Sequence, residues 1–130
     1  MFLSFNTTEE RRSFGGSAFL EIQYCKILKS KPLKRIVSTD SIKNWDNSSL
    51  YVYDDDIKKF YDEYAEILQN GVYNNLCEGK LDTCGINYYS SNRVKDIIER
   101  LKSAKPTEYD VLLEWLNNSL SKNGFYILGI

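Results

Sequence analysis

At 130 residues the chain has the size of one common domain and buries roughly two-thirds of the surface that its unfolded form exposes, so a single core suffices. Apolar residues at 42% and charged residues at 27% exclude disorder, collagen-like sequence and coiled coil. With 17 Lys plus Arg against 18 Asp plus Glu the net charge is -1, which supplies no global positive field for gathering nucleic acid, and the absence of histidine removes the side chain most used for acid–base catalysis and zinc ligation near neutral pH.

No apolar run approaches the roughly 20 residues that span a bilayer, and the opening MFLSFNTTEERR carries acidic and polar groups where a signal peptide needs a basic start and an apolar stretch. A cytoplasmic protein without membrane contact is expected. The cysteines Cys25, Cys77 and Cys84 are odd in number and too few for a disulfide framework, as in a reducing compartment. A metal site would need further good ligands, which a chain without histidine must find among carboxylates, so no metal or other cofactor is expected.

Met1 to Asn6 suits a short strand, and the polar stretch with Thr7, Thr8, Glu9, Gly15 and Gly16 reads as a turn. From Ala18 to Leu28, Leu20, Ile22 and Tyr24 alternate with Glu21, Gln23 and Cys25, the period of a half-buried strand whose polar face meets solvent or a partner. Lys29 to Arg35 is a basic segment broken by Pro32, read as a solvated connection, with phosphate contact as the sharper alternative. Ile36 to Ser38 is a candidate strand, and the β-forming run Leu50 to Tyr53 predicts a buried one.

Asp54, Asp55 and Asp56 announce a helix by capping and by their charge at its positive end. Its inward stripe is Ile57, Phe60, Tyr61, Tyr64 and Leu68, and Gly71 ends it. Asn70 to Gly85 lacks a sustained period and reads as a long irregular loop or loose hairpin, followed by a strand over Ile86 to Tyr89. A helix after Ser90 to Asn92 turns inward Val94, Ile97, Ile98 and Leu101. Beyond Lys105 and Pro106, with Thr107 as N-cap and Asp110 completing an approximate capping box, a second helix buries some of Val111, Leu112, Trp115, Leu116 and Leu120. The apolar end FYILGI predicts a strand inside the sheet.

No glycine-rich phosphate loop occurs, no base stands ready beside a serine or cysteine, and the carboxylates are explained by solvated helix faces. Ten tyrosines point rather to protein contact, because tyrosine joins a large apolar area to a hydrogen-bonding tip.

The final stretch, GINYYSSNRVKDIIERLKSAKPTEYDVLLEWLNNSLSKNGFYILGI, resembles small bacterial immunity proteins encoded beside contact-dependent growth-inhibition toxins. Such proteins pair a Gly-Ile-Asn-Tyr-Tyr strand, here Gly85 to Tyr89, with a helical hairpin around Lys105 and Pro106 and a Gly-Phe-Tyr strand, here Gly124 to Tyr126. The similarity covers about the last third of the chain, extends loosely back to Asp54, and leaves Met1 to Ser49 unplaced. It implies a non-catalytic protein that binds a cognate toxin domain, often a basic nuclease, and neutralises it inside the producing cell.

The expected fold is α+β, a single domain with a mixed or antiparallel sheet and about three helices. The expected toxin-binding residues are Asp62, Glu63, Glu66, Tyr73, Glu78 and Asp82, an acidic surface with one aromatic anchor. Such a patch must be segregated from Lys29 to Arg35. The alternative is a small enzyme or a nucleic-acid-associated phage or mobile-element protein using the basic segment; in the immunity reading no direct nucleic-acid contact is expected.

Overall fold

The computed structural model describes residues 1–42 and 45–129. In chain order these form β1 (Phe2–Leu3), α1 (Thr8–Gly15), β2 (Phe19–Tyr24), α2 (Leu33–Ile36), a 3₁₀ turn (Thr39–Ser41), β3 (Leu50–Tyr53), α3 (Asp54–Tyr64), β4 (Gly71–Val72), β5 (Glu78–Gly79), β6 (Ile86–Tyr89), α4 (Ser91–Ala104), α5 (Tyr109–Ser119) and β7 (Phe125–Leu128). One antiparallel sheet runs in the order β1-β3-β2-β7-β6-β4-β5, so the fold is α+β. The apolar end of the chain occupies the middle of the sheet as β7, as its composition predicts; Ile130 lies outside the described residues.

Because side chains alternate along a strand, the register sorts them into two faces. Ile22 opposes both Leu50 and Ile127, and these join Leu20, Val52, Phe125 and Tyr89 on one face. That face packs on Phe60 and Tyr64 of α3, Val94, Ile97 and Leu101 of α4, and Leu112, Trp115 and Leu116 of α5 in one continuous cluster. Tyr24 stacks on Trp115 at 3.9 Å between ring centroids, and the Trp115 indole N–H donates to the Ser48 carbonyl at 2.8 Å.

The other face carries Glu21, Gln23 and Cys25, expected to meet solvent or a partner; all three are buried. Their cover comes from the segment after β2. Ile36 and Val37 pack with Cys25, Tyr126 and Leu128, while Phe5, Phe19 and Tyr51 form a smaller aromatic cluster beside Trp45. The Tyr126 hydroxyl donates to the Ile36 carbonyl at 2.6 Å. Ile36 to Ser38 is thus not a strand: Ile36 ends the short helix α2, and its carbonyl is taken by a side chain instead of a neighbouring strand.

Several helix ends also differ from expectation. Thr7 caps α1, accepting from the Glu10 N–H at 3.1 Å, where a turn was expected. Asp54 to Asp56 lie in the first turn of α3 and complement its dipole, but Tyr53 holds the N-cap position without a side-chain bond. The left-handed residue after α3 is Asn70 (φ 60°), not Gly71, which lies in β4. Before α5 the N-cap is Glu108 (φ 57°), and Thr107, expected there, donates its N–H and hydroxyl to Glu63. Tyr61, placed on a buried stripe by its spacing, is 36% exposed, and of the α5 candidates Leu112, Trp115 and Leu116 are buried while Leu120 is 51% exposed. Gly124 (φ 76°) allows the chain to enter β7 against the Tyr89 carbonyl, a position where a Cβ would overlap that oxygen.

Candidate functional site

Burial of Phe60, Tyr64 and Leu68 fixes the rotation of α3 and leaves Tyr61, Asp62, Ala65, Glu66 and Gln69 on an adjacent face. Ala65 and Leu68 still donate to Tyr61 and Tyr64, so helical geometry continues past the end of α3 and keeps these residues in rows. Opposite them stand Gly79 of β5 and Lys80. Together with Asn70 they enclose an open groove of about 560 Å³.

The groove's second wall is held from behind by Tyr73. Its hydroxyl donates to the Lys80 carbonyl and its ring lies where a Cβ on Gly79 would have to go, which explains the glycine there. The Tyr73 N–H also donates to the Cys77 carbonyl at 2.9 Å, closing the β4–β5 hairpin. At the hairpin tip Leu76 adopts φ 72° and is 47% exposed, an aliphatic side chain in water on a strained backbone.

The six acidic and tyrosine residues expected to bind a toxin therefore separate. Asp62 and Glu66, one turn apart, share the groove, and Tyr73 supports it. Asp62 also pairs with Lys58 at 2.7 Å, which holds the lysine ammonium above its ordinary range. Glu78 lies on the exposed edge strand β5, joined to Arg93 of α4 at 2.8 Å. Glu63 points to the α4–α5 connection, where its Oε1 accepts from the Thr107 hydroxyl at 2.7 Å and N–H at 3.0 Å. Those bonds hold its carboxyl below the usual range. Asp82 shapes the loop before β6, accepting from the Cys84 N–H at 2.9 Å while its own N–H donates to Asn87 at 2.8 Å. None of the residues 29–35 lines the groove, so the acids there are separate from the basic segment; Lys80 is the cation on its wall.

A second polar constellation was not foreseen. Glu21 accepts from the Ser49 hydroxyl at 2.7 Å, the Gln23 amide at 3.0 Å and the Tyr51 hydroxyl at 3.2 Å. Burial pushes its carboxyl up despite these bonds. Nearby Asp46 behaves oppositely: burial opposes its charge, but bonds from Lys26 at 2.7 Å and from the Ser48 N–H and hydroxyl bring it down to about 2. Asp46 borders a smaller groove of about 270 Å³ with Lys26, Asp40 and Tyr126. The dense internal bonding of Glu21 and Asp46 pins residues 46–51 to the sheet, a structural role that needs no ligand.

All three thiols are free, Cys25 buried and Cys77 and Cys84 exposed. Among the described residues no group of three or more Asp, Glu or Cys is placed to hold a metal, and no helix is long and apolar enough to cross a membrane. Comparisons with protein-family models, curated proteins and solved structures gave no match to the chain.

Proposed function

We propose that this chain is an immunity protein that binds a cognate toxin domain, of the nuclease class, and neutralises it by covering its active site or substrate channel. The observation that carries this reading is the groove lined by Asp62, Glu66 and the partly exposed Tyr61 on a helix whose rotation is fixed by the core. Carboxylates placed in this way mimic the charge of a nucleic-acid backbone and steer a basic partner, while tyrosine supplies contact area at low entropic cost. The strained, exposed Leu76 adds an apolar side chain on the hairpin that carries the second wall. The partner is a cationic protein surface; the toxin's own nucleic-acid substrate is excluded from the complex by the acids.

Co-expression tests this reading. The polypeptide encoded immediately upstream of the gene is produced with and without this chain, and growth and co-purification are followed. Growth arrest relieved by a stable complex is the expected result; absence of toxicity and of a complex removes the immunity reading.

A further inference from the structure

A third groove, of about 440 Å³, lies between the chain leaving β2 (Cys25 to Lys29) and the turn after α5 (Leu120 to Asn123). Its two walls are bolted together. Cys25 N–H donates to the Gly124 carbonyl at 3.0 Å, Asn123 N–H to the Cys25 carbonyl at 3.2 Å, and the Asn123 side-chain amide to the Ile27 carbonyl at 3.0 Å. The concavity is therefore formed before anything binds, which lowers the entropic cost of association.

Into it open Leu28, 67% exposed, and Leu120, 51% exposed, side chains that a monomer gains nothing by leaving in water. Lys26, Lys29 and Lys122 line it beside them, and among the described residues no carboxylate does. Lys26 is paired with Asp46, whereas Lys29 and Lys122 have no ion pair among the described residues.

We infer that this groove receives an acidic peptide segment bearing aliphatic side chains, supplied by another protein and bound independently of the α3 groove. Complementary charge selects an acidic occupant. The leucines favour a polypeptide over single-stranded nucleic acid, which is held largely by aromatic stacking, and among the described residues no aromatic side chain lines this groove.

Selection of short random peptides displayed on phage against the folded chain, followed by fluorescence anisotropy of an enriched, labelled peptide, tests the inference. Enriched sequences are expected to combine Asp or Glu with Leu or Ile. Their affinity should fall about tenfold or more in the Leu28→Ser/Leu120→Ser variant and in Lys29→Glu/Lys122→Glu, and remain unchanged in Asp62→Lys. Both exposed pairs can be replaced without loss of the core, which an unchanged melting temperature verifies. The inference is overturned by enrichment without acidic residues, by no enrichment at all, or by affinity indifferent to both groove variants. Equal competition from a polyuridine oligonucleotide or from phosphatidylserine vesicles also overturns it, as does self-association abolished by Lys122→Glu, which would make a second copy the occupant.

Discussion

The two faces of the sheet are built on different physics. The face beneath α3, α4 and α5 is an apolar cluster in which Ile22, Ile127 and Phe125 meet long helices. The opposite face sets Glu21 and Gln23 among apolar residues, and is covered by α1 through Phe14, by the short helix α2, a 3₁₀ turn and the loop that carries Asp46. On the first, packing dominates and the few polar groups, Asn87, Tyr24, Tyr89 and Trp115, donate to main-chain carbonyls; on the second, burial is tolerated because hydrogen bonds satisfy each acid's needs. The lesson is that an element can be fully buried while only half of it is hydrophobic.

Neighbours on the same strand sharpen that contrast most. Ile127 faces the helices and Leu128 the loop-covered side, and both are almost fully buried. Ile127→Ala should cost about 4 kcal/mol and Leu128→Ala about 2, because short covering segments settle into a cavity more readily than packed helices do. Urea unfolding of the two variants measures this, and equal losses would remove the distinction between the faces.

Acid titration separates the two buried carboxyls. Asp46 is lowered from 3.8 to about 2, so its contribution is present above its unfolded pKa and disappears as pH falls through the folded value. Asp46→Asn should therefore lose about 2 kcal/mol at neutral pH and converge on the wild type near pH 2. Glu21 is raised, so its contribution is fully present below its unfolded value and is lost as pH rises through the folded one. Glu21→Gln should flatten that decline. Stability curves in which both variants change with pH in the same direction would contradict the opposed assignments.

The helix-covered face was largely legible in the sequence. The strand Leu50–Tyr53 follows from its β-forming residues, Ile86–Tyr89 was also expected as a strand, and the inward sets of α3, Tyr61 excepted, and of α4 follow from a 3.6-residue period that local spacing reveals. The loop-covered face was not. Alternation in β2 marks which residues share a side, but it does not say what covers them, and the residues over Glu21 and Cys25 come from Ile36, Val37 and Ser49. α1 escaped notice because it buries no residue, although Thr7 followed three positions later by Glu10 is a capping signal.

Within the candidate site, Asp62 and Glu66 were legible as outward residues one helical turn apart. Tyr61 was assigned to the core by the same spacing, since a stripe's edge residue is separated from its buried neighbours only by the helix rotation. Gly79 and Lys80 carried no local signal at all; only the pairing of β5 with β4 brings them opposite α3.

The smallest expected effect concerns the hairpin beyond both faces. Leu76 holds a left-handed conformation that asparagine adopts with less strain, so Leu76→Asn should raise stability by about 1 kcal/mol while weakening partner binding. Thermal unfolding and a binding titration on the same variant check both halves of this expectation. A stabilised variant with undiminished binding would leave the leucine without a functional reason.

The most direct measurement is a calorimetric titration of this chain with the polypeptide encoded immediately upstream, for the wild type and for Asp62→Lys/Glu66→Lys, at low and high salt. The predicted result is a tight stoichiometric complex, weakened about 100-fold by the double charge reversal and less salt-sensitive in the variant, with an unchanged melting temperature. A complex of equal affinity in both proteins, or none in either, would contradict the acidic groove as the toxin-binding site.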